Sequence, residues 1–245
     1  MHRPCPPFFP RVASTGRRRV TKVCGLGLLA GLFLFPLAVR AQFSDFSISV
    51  SGWQVVSFND ISANNFSIVG TYAPTYFASG GDPGGYIYST DPDGGDFTFS
   101  APAAFLGNKS AAFGSTLTYS LNDTSSVNYN TTDVILMGGG VTLLWQQSPT
   151  LVPGPSFTTV TVPLAPTADW HLVGGSLASA GDFTTVLGNL TGIYIRGEYA
   201  FGPDSTGLDT VNFAAVPEPE TWALLLAGLL ALGAVTRRRR SKTGI

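Results

Sequence analysis

Apolar and polar residues alternate with a period of two through the middle of the chain, and an unbroken apolar run stands near each end. Within residues 115–121, Leu117, Tyr119 and Leu121 share one face, which is the pattern of a half-buried strand. The same reading predicts strands at 86–90, 96–100, 132–137, 141–146, 158–164, 192–199 and 208–213. Two glycine- and aspartate-rich loops, 80–85 and 91–95, lead into the first two of these strands. One short helix is expected, with Asp182 as its N-cap and Phe183, Val186, Leu187 and Leu190 at helical spacing, plugging one side of a sandwich. Many short strands and a single helix describe an all-β sandwich or barrel.

The two apolar runs read as addresses rather than as core. Arg17, Arg18, Arg19 and Lys22 precede the run from Val23 to Leu37, and Val39-Arg40-Ala41 forms a small-residue cleavage site before Gln42. Residues 1–41 therefore read as a signal peptide cut between Ala41 and Gln42, which calls for the general secretion machinery. Cys24 precedes its apolar run and does not mark a lipidation site. At the other end, the sequence from Val216 to Thr221 is followed by an apolar run from Trp222 to Val235 and by Arg237, Arg238, Arg239 and Arg240. Fourteen residues at helical rise reach about 21 Å, short of the roughly 30 Å hydrocarbon core. The absence of charge, the interfacial Trp222 and the four arginines nevertheless orient a short span with its basic end in the cytoplasm. The inner membrane is thus expected to hold the precursor by residues 216–240, with 241–245 as a cytoplasmic tail. Pro217 and Pro219 keep the strip just outside the membrane extended and open to a processing enzyme.

Charge separates the middle from the ends. Residues 42–216 carry 13 acidic side chains against two basic ones, Lys109 and Arg196, a net charge of −11. Such a surface repels nucleic acid and favours cations or neutral partners. Both cysteines, Cys5 and Cys24, lie in the leader, so the mature chain has no disulfide and no thiolate. Residues 42–215 are long enough for one core and too short for two.

Catalytic chemistry has few parts to draw on. The mature chain holds one histidine, His171, and one glutamate, Glu198, before the terminal motif. Gly174-Gly175-Ser176 does not form a nucleophile turn for a His171 triad. An aspartate pair for polysaccharide hydrolysis has no sequence feature that selects it. Arg196 and Glu198, two apart on an expected strand, face one side and are expected to pair. Trp53, Trp145 and Trp170 are read as core in preference to sugar-stacking platforms. The spacing Asp91-x-Asp93-x-x-Asp96 suits either a calcium loop or ordinary turn chemistry. Asn65, Asn108, Asn122, Asn130 and Asn189 begin Asn-x-Ser/Thr sequences and read as polar surface.

Pro217-Glu218-Pro219, the short apolar run and the arginine cluster resemble the PEP-CTERM sorting signal of Gram-negative bacteria. That resemblance implies cleavage by the membrane enzyme exosortase and delivery to the cell surface or an exopolysaccharide matrix. The ordered set Gly84-Gly85-Tyr86-Ile87, Phe97 to Pro102, Phe105 to Ser110, Asp133 to Leu136, Trp170-His171, Ile195 to Tyr199 and Gly207 to Val211 resembles a laminin B domain. The resemblance implies a jelly-roll β-sandwich of galactose-binding-like type and extracellular adhesion or glycan contact; the scarcity of catalytic parts makes the domain non-catalytic in expectation. It also implies a structural calcium near the first strand and the late Leu-Asp-x-Val strand, at Asp45 and Asp209. Thr210 after Asp209, and the lack of framing cysteines, depart from the family pattern. The reading that results is an exported, exosortase-sorted surface or biofilm-matrix protein, adhesive or glycan-binding. Its alternatives are a polysaccharide hydrolase on the same scaffold and a matrix protein without a ligand. Replacing Glu218 with Ala is expected to block processing, leaving the precursor intact by mass in cells that mature the wild type; a mutant that matures unchanged would remove the sorting role.

Overall fold

The computed structural model describes residues 41–124, 129, 131–214 and 227–230. The segment expected to be a signal peptide, and the sorting segment apart from a helical stretch at 227–230, lie outside the described residues, save Ala41. Among the described residues no helix is long and apolar enough to cross a membrane.

Thirteen strands among the described residues form two antiparallel sheets. They are β1 (Gln42–Ser44), β2 (Gln54–Asp60), β3 (Asn65–Tyr72), β4 (Thr75–Gly81), β5 (Gly84–Thr90), β6 (Asp96–Ser100), β7 (Thr116–Asp123), β8 (Val134–Gly138), β9 (Val141–Trp145), β10 (Thr158–Pro163), β11 (Trp170–Leu172), β12 (Leu190–Arg196) and β13 (Ser205–Phe213). The first sheet has the order β10-β7-β13-β5-β4, with β1 paired to β13; the second runs β11-β9-β8-β12-β6-β2-β3. The architecture is the expected jelly-roll sandwich.

Alternation does in the first sheet what it predicts: on β7, Leu117, Tyr119 and Leu121 enter the core. The second sheet buries its inner face and, over its middle strands, part of its outer face. On β8, Val134 and Leu136 join the main core, while Ile135 packs on the opposite face with Val56, Phe58, Ile61 and Leu144. A sheet covered on both sides reads as a continuous apolar run, which is why 134–136 does not alternate. β3 and β4 were not predicted because most of their residues are exposed and leave no buried face to read.

The helix is present as α1 (Ala180–Gly188), but its cap lies earlier than expected. Ser179 is the N-cap and accepts from the Asp182 N–H, while Asp182, at the third helical position, accepts from the Ser179 N–H. This reciprocal capping box satisfies two terminal donors where a lone N-cap aspartate satisfies one. Phe183, Val186 and Leu187 are buried, and Phe183 meets Trp170 edge-on at 5.2 Å. Gly138 on β8 lets the helix lie close, since a Cβ there would collide with the Val186 carbonyl.

The three tryptophans are core, as expected: Trp53 and Trp145 are 2 % exposed and Trp170 is 0 % exposed. The expected Arg196–Glu198 pair does not form. β12 ends at Arg196, so the two residues no longer share a strand face. Arg196 instead pairs with the Asp133 carboxylate at 3.3 Å and donates from Nε to the Glu198 main-chain carbonyl. It also donates to the Tyr129 and Thr131 carbonyls and stacks over the Tyr199 ring at 4.2 Å. Truncating one partner of a buried pair strands the other charge at a cost of about 3–5 kcal/mol. Arg196→Leu is therefore expected to lose about that much stability, read as an earlier urea midpoint.

Candidate functional site

The outer face of the first sheet carries an aromatic strip. On β5, Ile87 points into the core, so Tyr86 and Tyr88 point outward. Phe77 on β4 stands directly opposite Tyr86 in register, and their rings stack at 5.1 Å with an interplanar angle of 16°. Phe157, just before β10, meets Tyr86 edge-on at 5.3 Å, and Tyr88 meets Phe77 at 5.8 Å. These rings converge over Gly207 on β13, where a Cβ would stand 3.1 Å from Tyr86 and 3.2 Å from Phe157. A side chain at 207 would wedge them apart.

Phe77 is 41 % exposed and Tyr86, Tyr88 and Phe157 are half-buried. Among the described residues no hydrogen bond occupies either phenol hydroxyl, so both are free to meet a ligand. Thr75 opposite Tyr88, Asn122 opposite Gly207 and Thr159 opposite Ser120 supply a polar rim. Rings with polar tips and a hydroxyl and amide rim can pack against a surface that is apolar in patches and hydroxylated at its edges.

The second sheet carries a different surface. His171 pairs in register with Leu144, whose side chain lies on the outer face, so His171 faces outward too. Two adjoining clefts of about 520 and 330 Å³ share Gln146 and His171 in their walls. Asp169, Gln147 and Thr150 complete the larger and Asn64, Thr132 and Leu144 the smaller.

The acidic candidates from the sequence do not assemble into one site. Asp45 accepts from the Ser47 N–H within its own loop, and Asp209 accepts from the Asp82 and Thr210 N–H groups. Asp91 accepts from Asp93 N–H, Asp93 from Gly95 N–H and Tyr72 Oη, and Asp96 from Ile61 N–H and Tyr129 Oη. Among the described residues no three His, Cys, Asp or Glu side chains converge to hold a metal. Calcium takes six to eight oxygens, so neither candidate set makes a shell from carboxylates alone.

Glu198 has a strongly perturbed environment. Burial, then the Asp96 and Asp91 charges, push its carboxyl up to about 8, opposed by the Phe97 N–H, which donates to Oε2 at 3.2 Å. Its position at the buried end of β12, rather than in either cleft, assigns it to the fold.

Comparison with known proteins now bears on the whole arrangement. The laminin B (domain IV) family profile matches residues 98–221, half of the chain. The chain belongs to that family. A second profile, the PEP-CTERM protein-sorting motif, matches residues 215–240 and marks an exported protein. The L4b domain of human laminin alpha-2 superposes with a TM-score of 0.55 at 14% identity, covering 71% of this chain and 97% of that one. A family 11 carbohydrate-binding module of the Clostridium thermocellum cellulosomal cellulase Lic26A-Cel5E has a TM-score of 0.45 at 15% identity, covering 74% and 98%. No curated protein matches the chain.

The laminin B match begins inside β6, so the aromatic strip is built from both sides of its boundary. Phe77, Tyr86 and Tyr88 precede the matched stretch, and Phe157 and Gly207 fall within it. The sequence nominated none of these five as ligand residues. Tyr86 and Tyr88 alternate with the inward Ile87, a signal that was on the page; Phe157 and Gly207 join them only through strand pairing.

Because the folded laminin B domain holds the Glu198 proton more tightly than the unfolded chain, Glu198 makes stability fall as pH rises from about 4.5 to about 8. Glu198→Gln is expected to remove that slope, so that its melting temperature gains on the wild type at pH 9 relative to pH 5. Parallel pH profiles for the two proteins would show that the carboxyl is not buried as described.

Proposed function

We propose that this exported laminin B protein is processed by exosortase and acts at the cell surface or in the extracellular matrix as a non-catalytic module that binds neutral glycan. The observation that carries the reading is the strip of Phe77, Tyr86, Tyr88 and Phe157 on the outer face of the first sheet. A pyranose ring presents C–H groups on one face and hydroxyls around its edge. Exposed rings meet the first, and the phenol hydroxyls, Asn122 and Thr159 meet the second.

Charge narrows the ligand class. The domain carries −11, and both of its bases are turned inward: Lys109 donates to the Ala104 carbonyl and Arg196 is sealed against Asp133. Polyanionic polysaccharides meet repulsion with no cation to offset it, whereas neutral chains meet neither penalty. The hydrolase alternative needs two carboxylates flanking a cleft. Asp169 is the one carboxylate in the walls of the two clefts described above, which favours binding over cleavage.

The test is titration of the purified chain with soluble neutral polysaccharides and with uronate-bearing ones. Saturable binding to a neutral glycan is expected, with Tyr86→Ala and Phe157→Ala each weakening it about tenfold, close to 1.4 kcal/mol, at unchanged melting temperature. Absence of saturable binding would leave a structural matrix protein, and release of reducing ends would establish a hydrolase.

A further inference from the structure

The two outer faces of a sandwich point in opposite directions, and each of them here carries its own recessed or aromatic surface. We propose that the His171 groove on the second sheet is a second glycan site, so that one domain holds two chains and cross-links them. This inference rests on the glycan reading of the aromatic strip.

The groove is built from side chains the fold leaves unused. His171 sits on β11 opposite Leu144, and Gln146, just past the end of β9, lines both clefts beside it. Among the described residues no hydrogen bond engages the side chains of Gln146, Gln147, His171 or Asn64. The neighbouring main chain, by contrast, is held at three points. Gln146 N–H donates to the Asp169 carbonyl, Gln147 N–H donates to the Asp133 carboxylate, and Asp169 N–H donates to Thr167 Oγ1. Ligand binding would therefore order side chains, and not the main chain hydrogen-bonded behind them.

The chemistry of those ends selects the ligand. Amides and an imidazole each offer a donor beside an acceptor, which suits adjacent hydroxyl groups. Leu144 gives the smaller cleft an apolar floor, and Asp169 adds a single acceptor to the larger. No phenylalanine, tyrosine or tryptophan ring lines either cleft, so recognition there rests on hydrogen bonds to a chain end or branch, unlike the flat contact on the first sheet.

The experiment uses the full chain in detergent, with a neutral oligosaccharide that the wild type binds. Isothermal titration is expected to give two sites per chain, falling to one in the double variant Gln146→Ala/His171→Ala and to one in Tyr86→Ala/Phe157→Ala. With long soluble glycan the wild type is expected to form precipitate that redissolves in excess protein, and each double variant to bind without precipitating. One site in the wild type, unchanged by the groove variant, overturns this inference and leaves the aromatic site standing. No binding by the wild type overturns both. Melting temperatures of the two variants, expected within a few degrees of the wild type, separate loss of site from loss of fold.

Discussion

Arg196 is the cation around which the closed end of the sandwich is organised. It stands at the last residue of β12, is 1 % exposed, and reaches Asp133 before β8, the carbonyls of Tyr129 and Thr131, and the carbonyl of Glu198. A guanidinium has five donors in a fixed plane and no acceptor, so it can bind several oxygens at once without being neutralised by burial. The strand ends on one side and the returning chain on the other are therefore held by one group, with the Tyr199 ring laid against its face. Asp133 still has its carboxyl raised by burial, which shows how far that end is removed from water.

The two sheets face solvent on different terms. The first sheet buries one side, and its outward residues are released from packing, which is what permits rings at Phe77, Tyr86 and Tyr88 to remain on the surface. The second has an added apolar layer, Val56, Phe58, Ile61, Ile135 and Leu144, partly roofed by Phe66, Met137 and Tyr194. Its free polar residues are pushed to the β9–β11 end, where that layer stops. The difference between a flat aromatic surface and a polar groove thus follows from how each sheet satisfies its hydrophobic faces.

Most of the core was legible because strands with one buried face announce themselves. Leu117, Tyr119 and Leu121 alternate in sequence and in space, and the tryptophans are where apolar bulk is expected. β3 and β4 were not legible, since they lie at sheet edges and are held by pairing more than by burial. The cap at Ser179 was one turn early because Asp182 is a good residue at either position. Asp133 as the partner of Arg196 was beyond sequence reasoning: 63 residues separate them, and only the β8–β12 pairing brings them together. The surfaces with free polar groups were missed for a related reason, since neutral amides and phenols have no spacing that sets them apart from ordinary surface.

β13 is an inner strand of the first sheet, paired with β7 on one side and β5 on the other, and β1 lies along its end with Gln42 opposite Phe213. The sorting motif begins two residues after that strand. Any tension applied to the chain beyond Phe213 would therefore run lengthwise along a strand stitched on both flanks. Its hydrogen bonds run across the direction of pull, so they share the load in shear and must fail together rather than unzip one by one. The chain thus leaves this sheet from its middle and not from an edge, where a pull would peel one strand pair at a time.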